Sequence, residues 1–313
     1  MCTGIFAVTK DNKYIFGRTL EFGIPLTWKQ FRSLKIKGTI GMFKGINKWY
    51  MTDGVNTNGL FVGTFYFPHY NEEYSKNKIP DKINIETGEV NSFLLKHCTS
   101  VDDVIKLASK LNILETILHN IACSFHWIIC DKTGRCVVME VSKQKVMIYD
   151  NPYNVLTNSP SFDKQVSNLK KYHFLSKYNK LNSTSQGSGA LGMPGDSTSP
   201  SRFVRSHFYR KNMPLPKNSK IGIESILRIL HNFDIPLGSV EDKKTKELEV
   251  TEYTVAYCLN NQCVRYAPYG YIEKNKKWIQ TNQPVMMIHN NEISNVILGC
   301  MLIFGCILYK STK

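Results

Sequence analysis

The sequence predicts an α+β fold in which two mainly antiparallel sheets lie between helical layers. Three observations carry this. Strand-length apolar runs and helix-length amphipathic runs come in alternating blocks along the chain. Turn residues separate the strand runs at short intervals. The block order, strands then helices then strands then helices then strands, is what two sheets covered by helices require.

Within the first 70 residues, strand patterns occupy 4–8, 14–17, 34–37 and 60–65, divided by Asp11-Asn12, Lys44-Gly45 and Asn56-Thr57-Asn58-Gly59. Helices follow at 90–97 and 101–111, the second opened by Ser100 with Asp103 three residues on, in the manner of a capping box. Strands resume at 124–130 and 136–141 around the turn Asp131-Lys132-Thr133-Gly134 and continue at 145–149, forming a meander. Over 160–174 the residues Phe162, Val166, Leu169 and Tyr172 recur at helical spacing. A polar stretch at 179–189 reads as a surface loop. Helices return at 201–209 and 223–233, where Ile226, Leu227, Ile229 and Leu230 form a stripe for burial. A last strand pair, 251–258 and 262–266, turns at Asn260-Asn261. There is no internal repeat.

At 313 residues, with 42% hydrophobic content, the chain can bury one large core. Its formal charge is +15, but the lysines are spread through Asn-rich and Ser-rich surface stretches. No aromatic-interleaved basic stripe accompanies them, so solvated surface is expected and nucleic acid is not a partner. The nine cysteines are odd in number, several lie in apolar strand runs, and no pair has zinc-finger spacing. Buried reduced thiols, a reducing compartment, and neither a metal nor a cofactor are therefore expected. No basic segment followed by an apolar run stands at the N-terminus, so a cytoplasmic location and access to methionine removal follow. The domain is expected to span 2–288, with an apolar tail over 289–313. Within that tail, 293–309 is borderline for a bilayer span, which leaves membrane contact and a buried element as two open readings.

The chemistry begins at Cys2. Removal of Met1 would leave a thiol and a free α-amine on one residue, a nucleophile with its own base. An α-amine titrates at roughly pH 7.7–8.0, so a useful fraction accepts protons near neutrality. Arg18 follows Gly17 at the end of the second strand run, where antiparallel pairing brings it near Cys2. An arginine there stabilises a thiolate or holds a carboxylate, and Glu21 stands three residues on.

The ordered series Cys2-Thr3-Gly4, Phe16-Gly17-Arg18-Thr19-Leu20-Glu21, Asp150-Asn151-Pro152, Leu156-Thr157-Asn158-Ser159-Pro160, Gly192-Met193-Pro194-Gly195-Asp196 and Ser199-Pro200-Ser201-Arg202-Phe203 resembles the choloylglycine hydrolase family. These are N-terminal nucleophile (Ntn) hydrolases that include bile salt hydrolases and penicillin V acylases. The resemblance implies an αββα four-layer sandwich, Cys2 as nucleophile, Arg18 beside it, Asn158 as oxyanion donor and Arg202 as a second active-site arginine. Two positions depart from the family pattern. Glu21 stands where an aspartate contacts the nucleophile's amine, and Tyr66 stands where many bile salt hydrolases have asparagine, as in the penicillin V acylase branch. Tyr66 is expected to shape an aromatic pocket and to offer an oxyanion contact through a neighbouring backbone N–H.

The implied reaction is hydrolysis of a linear, non-peptide C–N amide with a bulky apolar acyl group, such as a conjugated bile salt or penicillin V. Arg18 and the positive charge are expected to favour anionic partners such as glycine or taurine conjugates. The stretch 179–188 looks shorter than the family's tetramer-assembly segment, so a homo-oligomer is left open. Two alternatives stand beside the enzyme: an acylase of N-acyl homoserine lactones or fatty amides, and a ligand-binding or membrane-associated relative impaired by Glu21.

Overall fold

A computed structural model describes residues 1–22, 26–43, 48–118, 121–178, 189–241, 246, 248–268, 270–274, 277–281 and 287–288. The expected turn at Lys44-Gly45, the loop at 179–188 and the apolar run at 293–309 lie outside the described residues.

The chain opens with a hairpin, β1 (Cys2–Val8) and β2 (Tyr14–Phe22), in which Cys2 pairs with Leu20 and Gly4 with Arg18. Four strands follow: β3 (Leu26–Arg32), β4 (Ile36–Phe43), β5 (Tyr50–Asn56) and β6 (Leu60–Tyr66). A short β7 (Ile83–Glu86) precedes helices α1 (Val90–His97) and α2 (Val101–Ala108). The Ser100 side chain accepts from the Asp103 N–H, satisfying a donor the first turn leaves free. Next come β8 (Leu111–Leu114), a minor hairpin of β9 (Thr116–Leu118) and β10 (Ile121–Cys123), and the meander β11 (Phe125–Asp131), β12 (Cys136–Ser142) and β13 (Lys145–Asp150). The two-residue β14 (Val155–Leu156) leads into α3 (Phe162–Lys170), α4 (Ser199–Asn212) and α5 (Ser219–Leu230). The last strands are β15 (Val250–Cys258), β16 (Cys263–Pro268), β17 (Gly270–Lys274), β18 (Lys277–Thr281) and β19 (Met287–Ile288).

Two antiparallel sheets result, ordered β14-β1-β2-β15-β16-β19 and β13-β12-β11-β6-β5-β4-β3. They pack face to face, with Phe16 of the first sheet stacked on Phe61 of the second at 4.0 Å between ring centroids. Helices α4 and α5 cover the outer face of the first sheet, and α1 and α2 lie on the second. This is the expected αββα sandwich.

Alternation along β1 and β2 decides what faces what. A Cβ at Gly17 would run into Ile226 and Leu230 of α5, whereas one at Gly4 would meet Phe65 at 2.6 Å and Phe16 at 2.9 Å. Gly4 therefore faces the other sheet, and its cross-strand partner Arg18 lies on that same inner face. The first hairpin thus delivers a charged side chain between two apolar sheets.

The structure corrects several boundaries. The helix expected over 101–111 ends at Ala108, and Leu111–Leu114 pairs in parallel with Ile83–Glu86. The strand expected at 34–37 starts at Ile36 and runs to Phe43, while β3 and β5 were not foreseen. β3 reads LTWKQFR, and its described side chains are exposed or half-buried, so it lacks a continuous apolar face. β5 contains Asp53 and Gly54, both poor strand formers in isolation, and is held by its neighbours instead.

Candidate active site

The inner end of β1 places Cys2 almost wholly out of solvent, at 1% exposure. Its Sγ accepts a hydrogen bond from Arg18 Nη2 at 2.8 Å. Arg18 is itself 0% exposed. Its remaining contacts run to the carbonyls of Thr19 (3.2 Å), Thr52 (3.1 Å) and Thr64 (2.7 Å), with the Phe65 ring 4.7 Å away. The Asp53 carboxylate lies 3.6 Å from Nη1. Burial works against the guanidinium charge, yet Cys2, Tyr253, Asp53 and Glu21 together outweigh it and hold Arg18 above its ordinary value. Arg18 thus directs its hydrogen bonds to Cys2 Sγ and to three backbone carbonyls.

Asn158 sits two residues beyond β14, which pairs with β1 at Gly4 and Ile5. Its Oδ1 accepts from the Cys2 backbone N–H at 2.6 Å and from Arg202 Nη2 at 2.8 Å. Its Nδ2 donates to the Tyr66 carbonyl at 2.7 Å. Two donors on one side and an acceptor on the other fix the orientation of the amide. The segment around it is clamped from four elements. Gln165 of α3 donates to the Asn158 carbonyl at 3.0 Å, and Thr157 Oγ1 donates to the Ser199 carbonyl of α4 at 3.0 Å. His126 Nε2 of β11 donates to the Thr157 carbonyl at 2.8 Å. Glu140 of β12 faces His126 Nδ1 at 3.0 Å and accepts from the Phe162 N–H at 2.9 Å.

Arg202 lies in the first turn of α4, after Pro200, and is 2% exposed. It donates through Nη1 to the Cys2 carbonyl (2.5 Å) and Thr3 Oγ1 (2.8 Å), and through Nε to the Ser197 carbonyl (2.9 Å). Arg202 thus holds both the Cys2 carbonyl and the Asn158 side chain. Burial lowers its pKa, with Glu21 and Cys2 opposing.

Met1 extends β1 by one residue. Its carbonyl accepts from the Glu21 N–H at 2.8 Å, and its ammonium donates to the Glu21 carbonyl at 2.5 Å. Glu21 is 1% exposed, and its Oε1 accepts from Thr251 Oγ1 at 3.2 Å. Its Oε2 has no hydrogen-bond partner among the described residues. Burial raises the Glu21 pKa, and the Met1 ammonium and Arg202 pull against that rise. Tyr66 ends β6 half-buried, edge-on to Phe125 with 6.3 Å between centroids. All six positions singled out in the sequence therefore lie together around the start of β1, linked by the hydrogen bonds of Cys2, Asn158 and Met1.

Sequence reasoning missed Asp53, Tyr253 and Glu249. Asp53 is fully buried, accepting from Tyr253 Oη at 2.6 Å and from Tyr257 Oη. Glu249 Oε2 lies 3.7 Å from the Met1 ammonium. Asp53 lies in β5, a strand the sequence reading did not foresee, so no local pattern pointed to it. Among the described residues no cluster of His, Cys, Asp and Glu is arranged to hold a metal.

The profile of linear amide C–N hydrolases of the choloylglycine hydrolase family matches residues 2–292. The chain belongs to that family. This hydrolase is 34% identical over 281 residues to an uncharacterized protein of Paramecium bursaria Chlorella virus 1, covering 86% of this chain and 98% of the viral one. It is 32% identical over 327 residues to a bile salt hydrolase/transferase of Clostridium perfringens, covering 94% of this chain and 98% of that protein. A mutant conjugated bile acid hydrolase from Clostridium perfringens superposes with a TM-score of 0.75 at 30% identity, over 92% of this chain and 96% of that one. The hydrolase is accordingly an amidohydrolase of the Ntn fold. No helix among its described residues is long and apolar enough to cross a membrane.

Proposed function

We propose that, after removal of Met1, the hydrolase cleaves amides with a bulky apolar acyl group through Cys2, a conjugated bile salt being the first substrate class to test. The observation that carries this reading is the joint hold on Cys2: Arg18 on the sulfur, Asn158 on the nitrogen and Arg202 on both Asn158 and the Cys2 carbonyl.

The α-amine takes the thiol proton, and the sulfur attacks the amide carbon. The oxyanion that forms is met by the second Nδ2 hydrogen of Asn158, its first being held by the Tyr66 carbonyl, and by a backbone N–H beside Tyr66. The C–N bond breaks as the α-ammonium protonates the leaving amine. Water then attacks the thioester, giving its proton to the α-amine. The acid departs and the thiol is restored. Arg18 stabilises the sulfur anion before attack and again as the acid departs, and Glu21 faces the amine end of the residue.

A penicillin V-type substrate is the second reading, favoured by the tyrosine at position 66. The test is intact mass before and after incubation with glycocholate, taurocholate and penicillin V, with amine release followed in parallel and Cys2→Ala as control. Loss of the methionine mass with Cys2-dependent release supports the proposal. A chain that retains Met1 yet turns over, or activity that survives Cys2→Ala, would overturn it.

A further inference from the structure

One guanidinium joins the sulfur of Cys2 to a buried carboxylate. Arg18 Nη2 donates to Cys2 Sγ at 2.8 Å, while Nη1 of the same group lies 3.6 Å from Asp53 Oδ2. Both members of the Arg18 and Asp53 pair are 0% exposed, and among the described residues Asp53 is the carboxylate within ion-pair reach of Arg18. The other acceptors of Arg18 are neutral carbonyls. Burial leaves little solvent screening, so the field that Arg18 places on the sulfur depends on how much of its charge Asp53 offsets.

Asp53 belongs to the second sheet and is held by hydroxyls from the first. Tyr253 Oη of β15 donates to Oδ2 at 2.6 Å, and Tyr257 Oη of the same strand donates to Oδ1. Burial first, and then the Asp53 charge, push both phenols well above their ordinary range, so each stays a neutral O–H donor. Tyr266, whose Oη stands 3.4 Å from that of Tyr257, is pushed up in the same way. Hydroxyl donors thus draw on the carboxylate from one side while Arg18 faces it from the other. The result is a chain that runs from tyrosine hydroxyls through Asp53 and Arg18 to the Cys2 sulfur.

We propose that Asp53 is a positioning residue for the reaction: it offsets part of the Arg18 charge and so sets how readily Cys2 yields its proton to the α-amine, with the Tyr253 and Tyr257 hydroxyls limiting that offset. This rests on the reading of Cys2 as nucleophile given above. A guanidinium without Asp53 would hold the thiolate as its own counter-ion, and a thiolate stabilised in that way is a weaker nucleophile. Removing the carboxylate charge therefore favours the thiolate. Removing a hydroxyl from the carboxylate does the reverse, because more of its charge then falls on Arg18. Glu21 near Arg18, Arg202 near Cys2 and the freed α-amine act on the same sulfur, and all three are common to every variant.

The experiment uses the chain beginning at Cys2, isotopically labelled at cysteine Cβ. The Cys2 resonance, assigned by its absence from Cys2→Ala, reports ionisation of the sulfur without substrate. In Asp53→Asn its titration should move down by about one pH unit, the scale of removing one charge roughly 9 Å from the sulfur at an effective dielectric of about 20. In Tyr253→Phe it should move up, by a smaller step. A substitution that only loosened the fold would lower the urea midpoint without shifting the titration. A titration unmoved or moved up in Asp53→Asn overturns the proposal. Where that variant fails to fold, a titration unmoved or moved down in Tyr253→Phe overturns it instead. Amine release from glycocholate, taurocholate and penicillin V by the unsubstituted chain is followed in parallel. The expected shifts without turnover keep the hold of Asp53 on the sulfur and sink the hydrolytic reading, whereas Cys2-dependent turnover without the shifts sinks only the role of Asp53. Neither shifts nor turnover sinks both.

Discussion

Asp53→Asn tests whether the site depends on a buried countercharge. Arg18 and Asp53 are both 0% exposed and stand 3.6 Å apart, with the Tyr253 and Tyr257 hydroxyls on the carboxylate. Asparagine keeps the shape but removes the charge, and its Nδ2 cannot accept, so one tyrosine hydroxyl must turn away. Removing one member of a buried ion pair costs about 3–5 kcal/mol, because the surviving charge stays buried and uncompensated. That is a large share of a native stability of about 5–15 kcal/mol. With a urea m-value of about 3 kcal/mol/M, the unfolding midpoint falls by about 1 M or more. Equilibrium urea unfolding by tryptophan fluorescence reads this directly. Tyr257→Phe, which removes one hydrogen bond to the same carboxylate, should cost less, about 1.5–3 kcal/mol. A loss under about 1 kcal/mol for Asp53→Asn would refute the reasoning and show that Cys2 and Glu21 carry the balance of the Arg18 charge.

Three further outcomes are expected. Asn158→Ala should lower kcat by about 10²–10³ with little change in KM, since it removes an oxyanion donor and leaves Arg202 Nη2 without its acceptor, and steady-state kinetics checks this. Gly4→Ala should cost about 1–3 kcal/mol in urea unfolding, because the added methyl meets ring atoms of Phe65 at 2.6 Å and Phe16 at 2.9 Å. Glu252 has a folded pKa raised from 4.5 to about 7, so its stabilising effect is complete below about pH 4.5 and is lost as pH rises through 7. Glu252→Gln should therefore gain up to about 3 kcal/mol on the wild type at pH 8 and nearly nothing at pH 4.5, compared by unfolding at both pH values.

The hairpin that carries Cys2 and Arg18 was legible because a period-2 pattern and a turn set both pairing and facing. Once Cys2 lies opposite Leu20, Gly4 must lie opposite Arg18, and both Arg18 and Cys2 point inward. Asn158 and Arg202 were legible only through the family's ordered motifs, since nothing local to a Thr-Asn-Ser-Pro turn or to a helix start says what it will touch. The role of Arg18 was half legible. Its nearness to Cys2 follows from register, but its hydrogen bonds run to carbonyls of β2, β5 and β6 that sequence does not assign to it.

By itself, then, the sequence determined the strand and helix blocks and the pairing that brings Arg18 near Cys2, because local periodicity and turn chemistry act over a few residues. Only the tertiary structure decided that Asp53 meets Arg18 and that Glu249 meets the first residue of the chain. These groups are separated by 35 and 248 positions. Their charges interact because two sheets closed over them and excluded water, and no local pattern records such a coincidence.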